Sequence, residues 1–321
     1  MAGLLQCSPG EIVFTSGGSE SNNHAIKGVF FALGEKGNHI ITSPIEHPAV
    51  VNPCRFLERL GAEVTYVAVD RYGRVDPDDV RKAITSKTIL ITVMHANNEV
   101  GTIQPIEEIS KIAKKRGVIF HTDAAQSVGK INTKVDDLGV DLLSIVGHKL
   151  YAPKGVGALY IREGTPIEPL IHGAGHENGR RAGTENVLLT VGLGKACEVA
   201  KKYLNDEKIQ NLRDHFWKLL QKNFTSQVVL NGHPIYRLPN TLNVSFVGRV
   251  GSEILARLDG VAASTGAACH SGSVELSPVL KAMGITPEVG MGAIRFSLGR
   301  TTTVQELDMV VQLIKNIIPP L

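Results

Sequence analysis

The sequence predicts an α/β protein, a mainly parallel sheet with flanking helices joined to a smaller C-terminal α+β domain. Two observations lead there. Short β-rich apolar runs alternate with helix-length segments through the first half of the chain, as in successive βαβ units. After a Gly-rich polar loop the alternation gives way to a second, smaller set of strands and helices, which places a large domain at 1–190 and a small one at 191–321.

The first strand, at 11–15, runs into Ser16-Gly-Gly-Ser-Glu-Ser-Asn-Asn23, a small-residue turn in which Ser19 is placed to cap a helix through 25–33. Such a turn offers free backbone N–H groups and the positive end of a helix, a seat for phosphate, although any capped helix shares the pattern. Strands follow at 39–42, 63–67, 88–93, 118–121 and 141–145, separated by helical segments at 48–60, 76–84 and 105–116. The last of these opens on Pro105, carries Glu107 and Glu108 in its first turn and basic residues in its last, and stops before Gly117, so its charges complement the helix dipole. Ligands of parallel sheets bind beyond the carboxyl ends of the strands. There the sequence turns polar, with Glu46-His47 after the second strand, His95, Asn98 and Glu99 after 88–93, and His121-Thr-Asp123-Ala-Ala-Gln126 after the next. Each residue alone suits a cap or a loop, but their convergence on one sheet edge points to a site.

The segment 172–186 is Gly-rich and polar, a surface loop long enough to cross to another subunit. His172 and His176 have metal-ligand spacing only on a helix, which the glycines oppose, so no metal site is expected. Helices at 187–204 and 208–224 lead to strands at 227–230, 241–246 and 293–298, with helices at 251–258 and 304–318. Between them, Ser264-Thr-Gly-Ala-Ala-Cys269-His270-Ser-Gly-Ser273 surrounds one cysteine with small residues and is expected to be mobile and open.

Composition narrows the function. With 43% hydrophobic and 20% charged residues the chain has the balance of a soluble globular protein. Lys+Arg 34 against Asp+Glu 31 leaves +3 with no basic block, so nucleic acid is not an expected partner. The four cysteines, Cys7, Cys54, Cys197 and Cys269, form no C-x-x-C pair, which argues against a disulfide framework and for a reducing compartment. No apolar run reaches membrane-spanning length and no signal peptide is visible, so a cytoplasmic or organelle-matrix protein without membrane contact is expected.

The run Asp141-Leu-Leu-Ser-Ile-Val-Gly-His-Lys149 reads as a buried strand that ends in a lysine. A lysine packed there would be poorly hydrated, its pKa would fall, and it would be a nucleophile toward carbonyls. Read alone, the stretch equally suits a lysine that reaches solvent. Its company suits pyridoxal 5'-phosphate, which needs a Schiff-base lysine, an acid at the ring nitrogen, a surface on the ring face and a phosphate cradle. Lys149 offers the first, and Asp123 the second, since a carboxylate and a pyridinium stabilise each other. His47 can stack on the ring and shuttle protons, Gln126 can hydrogen-bond the phenolic oxygen, and Gly18, Ser19 and His148 can hold the phosphate.

Phe14-Thr-Ser-Gly-Gly-Ser-Glu-Ser-Asn-Asn23, Glu46-His47, Ala96-Asn-Asn-Glu99, His121-Thr-Asp-Ala-Ala-Gln126, Gly147-His-Lys149, Arg180-Arg-Ala-Gly-Thr-Glu-Asn186, Gly266-Ala-Ala-Cys-His-Ser271 and Arg295-Phe-Ser-Leu-Gly-Arg300 occur in this order along the chain. Together they resemble the cysteine desulfurases of the NifS/IscS kind and the related selenocysteine lyases, in the class V aminotransferase family of fold type I pyridoxal-phosphate enzymes. The resemblance implies a seven-stranded sheet in the large domain and a homodimer with the active site near the subunit interface. It further implies that Thr184 reaches the cofactor phosphate of the other subunit, that Asn98 and Arg295 hold the substrate carboxylate, and that Cys269 is the nucleophile. A guanidinium grips a carboxylate bidentately, which suits Arg295.

The implied reaction converts L-cysteine to L-alanine. Lys149 or His47 moves the α-proton, and the Cys269 thiolate attacks the substrate sulfur and becomes a persulfide for delivery to a sulfur-acceptor protein. L-selenocysteine, cleaved to selenide and alanine, is the alternative substrate. Val146 stands where many cysteine desulfurases carry a phosphate-binding serine, and Ala-Ala-Cys269-His-Ser resembles the lyases, whereas Gly272-Ser-Val-Glu-Leu276 resembles NifS-like desulfurases. A truncated, inactive scaffold on the same fold is the second alternative, because the family's Asn-Ala-Ala-Thr segment is expected ahead of the Gly-rich turn and this sequence starts beyond it.

Overall fold

A computed structural model describes residues 1–204, 206–265, 268–270 and 273–318, with the side chains of 268–270, 273 and 274 outside the description. The chain divides into two compact units, one of residues 1–68, 75–96 and 104–205, the other of 69–74, 97–103 and 206–321.

The first unit contains α1 (Ala2–Leu5), β1 (Ile12–Thr15), α2 (Gly18–Ala32), β2 (His39–Thr42), α3 (Pro48–Glu58), β3 (Glu63–Tyr66), α4 (Pro77–Ala83), β4 (Thr88–Thr92), α5 (Ile106–Arg116), β5 (Ile119–Asp123), α6 (Val135–Leu138), β6 (Leu142–Val146), β7 (Gly157–Ile161) and α7 (Val187–Tyr203). Its seven strands form one sheet in the order β1-β7-β6-β5-β4-β2-β3. Neighbours from β3 to β6 are parallel, while β7 is antiparallel to both β6 and β1. β1 therefore points the same way as β6, and six of the seven carboxyl ends lie on one edge.

The apolar runs explain the layers. β2, β4, β6 and β7 are buried along their whole length, as strands covered on both faces must be. Ile26 and Val29 of α2 and Val50 and Leu57 of α3 pack with Ile40 and Leu90 of the sheet, each buried side chain contributing about 1.5–3 kcal/mol. α5 ends as its sequence predicts, with Gly117 left-handed (φ 64) and its N–H on the carbonyls of Ala113 and Lys114.

Two local features differ from the sequence reading. Ser19 is not the cap of α2, because the helix starts one residue before it, at Gly18, behind a Gly17 N-cap whose φ of 153 only glycine adopts freely. β7 is an unbroken apolar strand with no alternation to announce it, entered through the Pro/Gly turn after Lys149. Its first residue allows a close approach: a Cβ on Gly157 would lie 2.6 Å from the Ile145 carbonyl oxygen and 2.7 Å from Gly17 Cα. The bare backbone there lets the Gly-rich turn settle beside the end of β6.

The second unit contains α8 (Lys208–Phe224), β8 (Val228–Asn231), β9 (Thr241–Phe246), α9 (Gly251–Ala256), β10 (Ser264–Thr265), β11 (Ala268–His270), β12 (Ser273–Glu275), α10 (Pro278–Ala282), α11 (Pro287–Gly290), β13 (Ala293–Ser297) and α12 (Val304–Ile317). β10-β13-β9-β8 form an antiparallel sheet, and β11 and β12 a separate antiparallel pair. Phe216 and Phe224 of α8 meet Phe296 and Phe246 of that sheet edge to face, at 5.1 and 5.5 Å between centroids. Thr303 and Glu306 close a capping box at the start of α12. Among the described residues, no helix is long and apolar enough to cross a membrane.

Gly157→Ala should destabilise the protein by about 1–3 kcal/mol through backbone overlap, read as a lowered urea midpoint. Gly10→Ala, where a Cβ meets nothing within 4 Å, is the control and should stay within about 0.5 kcal/mol.

Candidate active site

The carboxyl edge of the first unit's sheet collects the side chains that strand direction sends there. β1 leads into Gly18 and Ser19, β2 into Glu46 and His47, β4 into His95, β5 ends on Asp123 with Gln126 just beyond, and β6 leads into a 3-10 turn, Gly147–Leu150, bearing His148 and Lys149.

Asp123 is buried. Its Oδ2 accepts a hydrogen bond of 2.6 Å from Asn22 Nδ2, and its Oδ1 one of 2.9 Å from the Ala125 N–H. Burial raises its carboxyl above the ordinary range, against the pull of those two donors and of His47. Such a group gains from a cation placed against it. Asn22 carried no role in the sequence, since its partner lies 101 residues away.

Glu46 is a second buried carboxyl. Its Oε1 accepts from Ser43 Oγ at 2.6 Å and from the Met94 N–H at 2.9 Å. Burial pushes it up to about 8 despite those donors, helped by the charge of Asp123. His47 is exposed and serves as the N-cap of α3, its Nδ1 accepting from the Ala49 N–H at 3.1 Å. The neutral ring therefore carries its proton on Nε2.

The other strand-end histidines divide. His121 is fully buried, its Nδ1 2.8 Å from Thr92 Oγ1 and its Nε2 3.0 Å from Ser144 Oγ, and burial pushes it down to about 3. Burial likewise pushes His95 down to about 4. Both are buried and neutral, His121 within β5 and His95 just beyond β4. His148 is exposed, and so is Lys149, which corrects the expectation of a poorly hydrated lysine. The strand stops at Val146, and the turn behind it, closed by a left-handed Tyr151 (φ 65), carries both side chains past the sheet edge. Gln126 is partly buried and holds a lysine that sequence reasoning passed over: Lys130 Nζ donates to the Gln126 carbonyl oxygen at 2.8 Å and lies 3.5 Å from its Oε1.

At the Gly-rich turn, Glu20 Oε2 accepts from the Ser16 N–H at 2.8 Å, and its Oε1 pairs with Arg181 Nε at 2.8 Å. Burial opposes its charge, yet Arg181 and Ser16 hold Glu20 below the usual carboxylate range. This brings the 172–186 loop onto the turn, with Thr184 exposed nearby in sequence. A Cβ on Gly18 would overlap Val146 Cγ2.

The second unit holds the remaining candidates. Arg295 Nη1 donates to the Asn98 carbonyl oxygen at 2.7 Å, while its buried Nε has no hydrogen-bond partner among the described residues. Burial lowers the Arg295 pKa, and Glu99 opposes the fall. Glu99 in turn accepts from Ser277 Oγ at 2.5 Å. Cys269 falls in β11, its backbone opposite Val274 of β12, but its side chain lies outside the described residues.

The chain matches the family described as aminotransferase class-V over residues 1–310. It is similar to the cysteine desulfurase IscS of Dictyoglomus turgidum, 56% identical over 315 residues that span 97% of this chain and 80% of that protein. Among solved structures, a NifS-like protein at 39% identity matches with a TM-score of 0.91, covering 98% of this chain and 84% of that one. A structure described as SspA in complex with cysteine matches at 41% identity and a TM-score of 0.81, covering 92% and 84%.

The unfolded chain releases the Glu46 proton from about pH 4.5, whereas the folded protein keeps it to about 8. In that window the folded state binds more protons, so stability falls as pH rises. Glu46→Gln cannot ionise. The stability of the wild type relative to this variant should therefore drop by ~1.4 kcal/mol per pH unit across the window, measured by urea unfolding at several pH values. A flat difference would mean that Glu46 is ionised in the fold.

Proposed function

The chain belongs to the class V aminotransferase family, and from that premise we propose that it is a pyridoxal 5'-phosphate-dependent cysteine desulfurase. L-cysteine becomes L-alanine, and the sulfur passes to Cys269 as a persulfide for delivery to an acceptor protein. The observation that carries the reading is the buried Asp123 carboxyl on the sheet edge that also bears Lys149.

The residues present fit the cofactor. A protonated ring nitrogen is the cation that Asp123 lacks. Gly18 and Ser19 open a helix of 15 residues, whose free N–H groups with His148 suit a phosphate. Gln126 would hold the phenolic oxygen and His47 the ring face, and Lys149 would supply the amine for covalent attachment. Once bound, the cofactor draws electrons from the substrate α-carbon.

The protein's own groups do the rest. Arg295, whose Nε has no partner among the described residues, takes the substrate carboxylate beside Asn98. Lys149, exposed on the turn beyond β6, moves the α-proton, with His47 Nε2 as the second proton carrier. The Cys269 thiolate attacks the substrate sulfur. A sulfur–sulfur bond forms, the carbon–sulfur bond breaks, and its electron pair stays with the carbon skeleton, which takes a proton to become alanine.

Three further observations support parts of this reading. Val187, Leu188 and Val191 at the start of α7 are 66%, 82% and 66% exposed, apolar surface that suits a second copy of the chain. In such a homodimer Thr184, just before them, would hold the cofactor phosphate of the other subunit. The relatives named for cysteine, and the neighbour that holds it, favour sulfur over selenium. Cys7, Cys54 and Cys197 are free thiols, which suits a reducing cytoplasm.

Cys269→Ala should abolish sulfide release from L-cysteine with the cofactor still bound, and undiminished release would sink the persulfide step. Purified protein reconstituted with cofactor should be yellow, and Lys149→Ala should lose that covalent band. Arg295→Lys should raise KM for L-cysteine by roughly tenfold or more, because an ammonium cannot replace a bidentate fork. Turnover of L-selenocysteine beside L-cysteine tests the choice of chalcogen.

A further inference from the structure

Lys130 has no carboxylate partner among the described residues. Its ammonium group is held by carbonyl oxygens alone, at 2.8 Å from the Gln126 backbone oxygen and 3.5 Å from Gln126 Oε1. It also stands close enough to Lys149 to feel its charge, and that charge together with burial, the larger effect, pushes Lys130 down to about 8. Two cations brought close together repel each other unless an anion joins them.

The local fold makes the arrangement specific. After β5 the chain winds into a turn in which the Ser127 N–H bonds the Ala124 carbonyl at 3.0 Å and the Lys130 N–H bonds that of Ser127 at 2.9 Å. Gln126 and Lys130, four residues apart, so share one face. Gly129, left-handed at φ 74, leaves no room for a side chain: a Cβ there would overlap Leu150 Cδ2 and lie 2.9 Å from Ala200 Cβ. Leu150 closes the 3-10 turn that carries Lys149. The Lys130 turn is thereby packed against the Lys149 turn.

We propose that Lys130 is a positioning residue of the cofactor site: it holds the two oxygens of Gln126, turns the side-chain amide so that its N–H₂ end donates to the cofactor's phenolic oxygen, and places a positive charge behind that hydrogen bond. The inference rests on the cofactor reading above. The oxygen and nitrogen of a primary amide leave its carbon in opposed directions, so a cation on Oε1 aims Nε2 away from itself. An amide polarised by a cation at one end donates more strongly to an anionic oxygen at the other.

The test compares the wild type with Lys130→Met, which keeps the stem without the charge, and Lys130→Arg, which keeps the charge. Cofactor-free protein is titrated with pyridoxal 5'-phosphate and with the analogue lacking the phenolic oxygen, and the visible band of the bound cofactor is followed against pH. Lys130→Met should bind the cofactor about tenfold more weakly, the difference between a charge-assisted and a neutral hydrogen bond. It should bind the analogue as the wild type does. Its band midpoint should move to higher pH, because losing a nearby positive charge eases protonation of the lysine–cofactor linkage. Lys130→Arg should restore both. Equal losses for the two ligands, or no loss and an unmoved midpoint, would overturn the proposal. So would a Lys130→Met protein that fails to fold while Lys130→Arg folds, since the ammonium would then support only the turn. A wild type that binds neither ligand would instead overturn the cofactor reading itself.

Discussion

Two carboxyl groups cut off from water, Asp123 and Glu46, set the terms for the whole sheet edge. A buried acid without donors costs several kilocalories, so each is served by groups brought from distant parts of the chain. Asn22 ties α2 to the end of β5 through Asp123, and the Met94 N–H ties the end of β4 to the loop before α3 through Glu46. The first tie fixes the start of α2, and with it the Gly-rich turn. The second fixes the segment from which His47 projects. Removing either acid's donor would therefore disturb the spacing of the site as well as its charge.

Topology does the remaining placement. If β7 were parallel to β6, the Gly-rich turn after β1 would fall at the opposite edge from Lys149, unless β1 too were reversed relative to its neighbour. The antiparallel β6-β7 pair and the antiparallel β7-β1 pair reverse direction twice. The second reversal returns the start of α2 to the edge that holds Asp123. Gly157 completes the arrangement by letting the Gly-rich turn and β7 approach to backbone contact.

The alternating pattern made the sheet legible, since β2, β3, β4 and β9 fall within a residue of the apolar runs that announce them. The strand-end positions of Asp123, His47, Gln126 and Lys149 could be read too, since there polar groups break an apolar pattern. Other features needed the third dimension. β7 has no periodicity of its own to distinguish it from a buried helix turn. The exposure of Lys149 depends on how a single 3-10 turn leaves the sheet. The contacts of Asn22 and Lys130 leave no signal in sequence, because one finds its partner across 101 residues and the other looks like an ordinary surface lysine four positions after a glutamine. His121 was legible as a strand-end group, but only burial shows that it belongs to the interior.

The contact between Gly18 and Val146 has a consequence for the history of the site. With valine at 146, a methyl group at 18 would overlap Val146 Cγ2 and force a shift, whereas a smaller residue at 146 relieves that overlap. Two positions separated by most of a domain in sequence are thus coupled, and relatives with a larger residue at the turn should carry a smaller one at the end of β6.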